Sequence, residues 1–163
     1  MWLFPTIKQY ITETGDISFL DEMVPYADKN NDSVYDHLKR SIEFSLKELG
    51  LNGLPVGLYA DWNDCLRLGK RGESTFVAMQ LYYGLNIMEE FANIQNDNKY
   101  IEYIINIRAE LAKSIDRTCF EGDRYIRGIT EDNLRIGSKK SLEANLWLNP
   151  QSWAVISGLA DSN

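Results

Sequence analysis

Two carboxylates, Asp61 and Asp64, flank a tryptophan and an asparagine in the segment GLYADWNDCLRLGKRGES, Gly57 to Ser74. In a loop this grouping offers a proton donor, an amide and an aromatic face in one place. Those parts can protonate a glycosidic oxygen while a ring face holds a sugar. A carboxyl acting as general acid must keep its proton near neutral pH. Burial against an apolar neighbour, or a like charge nearby, raises its pKa, and Trp62 and Asp61 can supply both. The same residues also suit an Asx-rich loop in which Asp and Asn side chains cap backbone groups. The D-x-x-D spacing alone does not separate the two. Arg67, Lys70, Arg71 and Glu73 follow. They can bind an anion such as phosphate. They can equally form a solvated rim, with Glu73 favourably placed near the N-terminus of the next helix. The rim fits Arg67 and Lys70 better.

These residues need a frame, and the flanking sequence reads as helices. Trp2, Leu3, Phe4, Ile7, Tyr10 and Ile11 recur at helical spacing over residues 2–14, with Pro5 in the first turn and Gly15 as the stop. Asp16 caps a short turn from Ile17 to Met23, ending before Pro25, and Asp28 to Asp32 reads as a polar loop. Ser33 caps a helix striped by Val34, Leu38, Ile42, Leu46 and Leu49 and stopped by Gly50. From Leu51 to Ser74 the periodicity breaks for about twenty residues, a length at which loops are commonly functional. A helix over 75–94 is apolar on so much of its surface that it must be buried on two sides. Another covers 99–118. Residues 119–148 are irregular, with β-like alternation from Arg124 to Ile129 whose apolar members are Tyr125 and Ile129. Asn149 and Pro150 then cap and start a helix through Ala160. The expectation is an all-α unit of about five main helices joined by one long loop.

Composition narrows the function. The 163 residues are 44% hydrophobic and 25% charged, ordinary for one soluble domain. A formal charge of −7 argues against nucleic acid, whose phosphates require basic faces. No apolar run approaches a membrane span of about 20 residues. Residues 1–7 are apolar but lack the basic start of a signal peptide, so a cytoplasmic protein is expected. Cys65 and Cys119 form no C-x-x-C pair and His37 is the only histidine, so no metal is expected. Both thiols read as buried and reduced. His37, without a sequence partner, reads as structural.

The segment GLPVGLYADWNDCLRLGKRGES resembles the general-acid loop of cellobiose- and chitobiose-type phosphorylases, glycoside hydrolase family 94. IKQYITETGDISFLDEMVPY resembles the helix entering that region, and NPQSWAVISGLA a later barrel helix, so the likeness covers nearly the whole chain in order. The resemblance implies an (α/α)6 barrel and inverting phosphorolysis of a β-disaccharide to an α-sugar 1-phosphate and a free sugar. It makes Asp64 the general acid and Trp62 part of the acceptor-side sugar subsite. Asp61 and Asn63 stand behind them, and Arg71, Glu73 and Gln151 are candidate supports. Trp153 suits core packing at least as well. No cofactor is implied, only inorganic phosphate as co-substrate, and a homodimer is expected of the whole enzyme. A barrel of about twelve helices of 10–14 residues needs far more than this chain. The expectation is therefore a single partial domain over 1–163, without the family's N-terminal β-sandwich or its donor-sugar and phosphate residues. Torn from a barrel, its helices should leave apolar faces uncovered.

Two other readings compete. One is a hydrolase or epimerase on the same architecture, distinguished by turnover without phosphate. The other is a non-catalytic helical fragment or repeat module, which would show a period of about 34–47 residues. No such period is visible.

Overall fold

The computed structural model describes residues 1–28, 30–58 and 61–160. Lys29 of the expected polar loop, and Tyr59 and Ala60 ahead of Asp61, lie outside the described residues. Among the described residues five α-helices carry the structure: α1 (Leu3–Thr14), α2 (Val34–Lys47), α3 (Thr75–Ile94), α4 (Asn98–Cys119) and α5 (Leu148–Ile156).

Helix α3 is the hub, and α1, α2, α4 and α5 all pack on it. Its two-sided apolar surface requires this. Phe76, Met79, Leu81, Leu85, Ile87, Met88 and Phe91 are all buried. Gly84 sits where α1 crosses closest, and a Cβ there would stand 3.2 Å from the Phe4 ring. Ser74 caps α3 by accepting the Val77 N–H, Ser33 caps α2 by accepting that of Asp36, and Asp97 caps α4 by accepting that of Tyr100. Gly15 closes α1 in the left-handed region at φ 72°. His37 is structural, with its Nε2 2.9 Å from the Val24 carbonyl and its ring stacked on Tyr26.

Some boundaries differ from the sequence reading. Helix α2 stops at Lys47 because the chain bends into a bridge between Leu49 and Pro55, and the Val56 N–H reaches the Glu48 carbonyl. The turn after Asp16 is a 3-10 helix over Ile17–Asp21, and Asp16 makes no side-chain cap to its backbone. Part of the expected polar loop is strand: β1 (Met23–Pro25) pairs antiparallel with β2 (Asn31–Ser33). Helix α5 ends at Ile156, where the Ser157 and Gly158 N–H groups turn back onto Trp153 and Val155. Asn149 lies inside its first turn rather than at the cap.

The second sheet matters most for the loop. Short strands β3 (Glu73–Ser74), β4 (Gly128–Ile129) and β5 (Arg135–Ile136) run antiparallel in that order, with Ser74 opposite Gly128. The irregular stretch after α4 is therefore folded against the end of the long loop. Gly128 is required there, since a Cβ would lie 2.7 Å from the Glu73 carbonyl oxygen. The all-α expectation holds for the frame, and these small sheets are additions to it. No described helix is long and apolar enough to cross a membrane. Leu148, Val155 and Ile156 leave an exposed apolar face on α5.

The two thiols have different fates. Cys119 is buried, accepts from the Thr75 hydroxyl at 3.3 Å, and is pushed up to about 11 by burial. Cys65 is exposed, against the expectation of a buried thiol, because it follows the tip of the long loop. In the native protein a neutral-pH disulfide reagent should therefore label the Cys65 peptide and leave Cys119 untouched until denaturation. Peptide mass mapping reads this out, and equal labelling of both would show that the α4 terminus opens.

Candidate active site

The long loop is held at both ends. The Gly57 N–H donates to the Gly72 carbonyl at 3.0 Å, and Val56 bridges Glu73. Inside it, consecutive side chains fold the backbone. The Asn63 N–H donates to Asp61 Oδ1 at 3.1 Å, and the Cys65 N–H donates to Asn63 Oδ1 at 3.1 Å. The Leu66 N–H closes a turn onto the Asn63 carbonyl at 2.8 Å. These are the Asx-type caps that the composition allowed. Asp64 sits within the last two of these three turns, and its carboxylate is exposed with no hydrogen bond or ion pair among the described residues. The capping work falls to Asp61 and Asn63, which leaves Asp64 free for a ligand.

Asp61 has a quite different setting. Its side chain is 2% exposed and forms an ion pair with Arg127, itself 1% exposed. Arg127 Nη2 donates to Asp61 Oδ1, the Ser74 hydroxyl donates to Asp61 Oδ2 at 2.7 Å, and Arg127 Nη1 donates to the Ser74 oxygen at 3.1 Å. The guanidinium lies over the rings of Phe76 and Trp147 at 5.8 and 5.9 Å. The negative charge of Asp61 is thus compensated, so it is not a bare like charge beside Asp64. Arg127 was not among the residues singled out from sequence, although it stands midway between Tyr125 and Ile129 in the alternating stretch.

Trp62 is exposed on the loop and faces Trp2, with ring centroids 5.7 Å apart. Trp2 in turn meets Trp153 at 5.8 Å and Phe76 at 6.5 Å, and Tyr83 closes on Trp153 at 6.3 Å. The result is an aromatic wall from the start of α1, through α3, to α5. Its inner members are packed, and its outer ones, Trp62 and Trp2, are exposed, with Asp64 two residues along the chain from Trp62. Trp153 serves this wall from within. Trp2 is a member that helical periodicity alone marked only as apolar.

The remaining candidates serve the scaffold. Arg71 Nη2 donates to the Leu49 carbonyl at 2.7 Å, tying the loop to the end of α2. Glu73, placed by sequence on a rim or near a helix N-terminus, is instead 2% exposed. It points away from α3 into the turn at residues 50–54, accepting the Asn52 N–H, the Asn52 amide and the Leu54 N–H at 2.6–3.1 Å. Gln151 lies on α5 and clasps Tyr125, donating to its carbonyl at 2.7 Å and accepting its N–H at 2.9 Å. Arg67 and Lys70 are exposed. An apolar cleft of about 490 Å3 lies between α2 and α4 around Leu46, Ile107 and Leu111, and none of the described loop residues from Gly57 to Ser74 lines it. Among the described residues no group of three His, Cys, Asp or Glu side chains is placed to hold a metal.

The helical frame thus carries, on one loop, an exposed carboxylate at Asp64 and an exposed indole at Trp62 that joins an aromatic wall. The chain belongs to the glycosyl hydrolase 94 superfamily, matching its catalytic domain over residues 1–163. It is 40% identical over 164 residues to an N,N'-diacetylchitobiose phosphorylase of Vibrio proteolyticus, covering 98% of this chain and 20% of that protein. It is 32% identical over 165 residues to a solabiose phosphorylase of Paenibacillus borealis, covering 99% and 22%. It is 30% identical over 163 residues to a cellobionic acid phosphorylase of Neurospora crassa, covering 98% and 21%. The chain therefore spans about a fifth of the length of these relatives.

Proposed function

We propose that this chain carries the general-acid region of an inverting phosphorylase of β-linked disaccharides, with Asp64 as the acid. The observation that carries the reading is the division of labour in the loop. Asp61 and Asn63 are consumed by turns and an ion pair, while Asp64 is left unpartnered beside Trp62. Phosphate attacks C1 of the donor sugar as the C1–O bond breaks, and Asp64 protonates the departing oxygen. A water-using inverting glycosidase needs a second carboxylate as base. Phosphate is already an anionic nucleophile, so one acid and a set of donors around the phosphate suffice. Trp62, with Trp2 behind it, offers the C–H face of the acceptor sugar a π surface.

The five helices fit part of an (α/α)6 barrel. The relatives' names support disaccharide phosphorolysis and differ in the sugar, so the reading stops at the β-disaccharide class, with phosphate as the only co-substrate. The donor-sugar and phosphate-holding groups are assigned to parts of the polypeptide outside this chain.

The test is phosphate-dependent release of sugar 1-phosphate from a panel of β-disaccharides by the native polypeptide that carries this segment. Release without phosphate would replace the phosphorylase by a hydrolase. The 163-residue chain alone should show no turnover, because positioning of phosphate and donor supplies much of such catalysis. Measurable phosphorolysis by the isolated chain would mean that it holds a phosphate site of its own.

A further inference from the structure

We infer that Arg127, acting through Asp61 and Ser74, is the positioning residue that sets where the Asp64 carboxyl stands. This rests on the phosphorylase reading above. The path is short and made of direct hydrogen bonds. The Arg127 fork holds one oxygen of Asp61 and the Ser74 hydroxyl, and that hydroxyl holds the other oxygen of Asp61. Asp61 accepts the Asn63 N–H, Asn63 accepts the Cys65 N–H, and Asp64 lies between. Ser74 is the N-cap of α3 and Arg127 adjoins β4, so the loop's catalytic turn is referenced to the hub helix and the small sheet together.

Stability alone is a poor reason for this arrangement. A buried ion pair repays its desolvation only with good geometry, and apolar replacements of similar volume are often as stable. What the pair supplies is direction. One arm of the guanidinium holds Asp61 and the other holds the Ser74 hydroxyl bound to its second oxygen, which orients the carboxylate, and the Phe76 and Trp147 rings flank the guanidinium. Arg127 is buried and touches no open surface, so it acts through the loop and not on the sugar.

The test compares two substrates that differ in their need for a proton. In phosphorolysis of a disaccharide the C1–O bond breaks and the leaving oxygen must be protonated. With a β-glycosyl fluoride the same phosphate attack breaks the C1–F bond, and fluoride leaves with the electron pair, needing no acid. The native polypeptide and its Arg127→Lys and Asp61→Asn variants are assayed on diacetylchitobiose against N-acetyl-β-glucosaminyl fluoride, and on cellobiose against β-glucosyl fluoride. Lys keeps the charge without the fork, and Asn keeps an acceptor without the charge. We expect kcat on the disaccharide to fall by roughly tenfold to a hundredfold, the scale of about a 1 Å misplacement, while the fluoride is turned over at the parent's rate. Equal loss on both substrates, no loss on the disaccharide, or failure of both variants to fold would assign the pair to the fold and overturn the inference. A parent that makes no sugar 1-phosphate from any disaccharide fails earlier, at the proposed function, and takes this inference with it.

Discussion

Asp64→Asn in the native polypeptide should lower kcat for phosphorolysis of a β-disaccharide by roughly a hundredfold or more, the lower range of general acid catalysis. The carboxylate has no protein partner among the described residues, so the amide disturbs nothing that holds the loop. The folded state should be unaffected, and the unfolding midpoint should match the parent's. KM for the disaccharide should change little, because the lost interaction matters only while the bond to the leaving oxygen is breaking. A loss confined to KM would place Asp64 in sugar binding instead. Undiminished phosphorolysis by the variant would leave the family membership untouched and show that another group donates the proton. The first to examine would be a carboxyl outside this chain, because Asp61 is held by Arg127 and Ser74.

Much of this was legible in sequence where one rule decided a residue's fate. Helix α3 was legible because its apolar positions exceed one face, and the structure adds the Ser74 cap that fixes its start. The long loop was visible because its glycines and Asx residues break every period. Within it, the sequence offered capping and chemistry as rivals, and the structure gives the capping to Asp61 and Asn63 and leaves Asp64 out of it.

The parts that stayed hidden depend on contacts distant in sequence. Arg127 pairs with Asp61 across 66 positions, which no local spacing encodes. One clue was present. In the alternating run of Tyr125, Arg127 and Ile129, the arginine occupies a position of the same parity as the apolar members. A charge on an inward-facing parity must find a partner, and the only question is which. Trp2 was likewise read as one apolar residue of α1. Its place in the aromatic wall depends on α1, α3 and α5 meeting at one end. Glu73 was misplaced because a glutamate beside a helix start is usually a surface charge. Here the bridge between Val56 and Glu73 turns it inward.

That inward glutamate yields the largest expected effect on stability. Glu73→Ala removes the acceptor of the Leu54 N–H, the Asn52 N–H and the Asn52 side-chain amide together. Leu54 is fully buried, so water does not easily replace its lost partner. An unsatisfied buried donor costs about 1–3 kcal/mol, and with the partly buried Asn52 groups the sum is roughly 3–5 kcal/mol. Glu73→Gln should be milder, because its amide oxygen still accepts from Leu54 and only the Asn52 contact must turn over. Arg71→Ala gives the baseline. It removes one exposed contact to the Leu49 carbonyl and a loose approach to Glu48, together about 1 kcal/mol or less. Urea midpoints at unchanged slope, together with hydrogen exchange at the Leu54 amide, measure the order Ala, Gln, then Arg71→Ala. If Glu73→Ala were as mild as Arg71→Ala, with Leu54 still protected, water would be replacing the carboxylate. The turn at residues 50–54 would then be held by its backbone bridges alone. If the predicted order holds, one buried carboxylate fixes the near end of the loop.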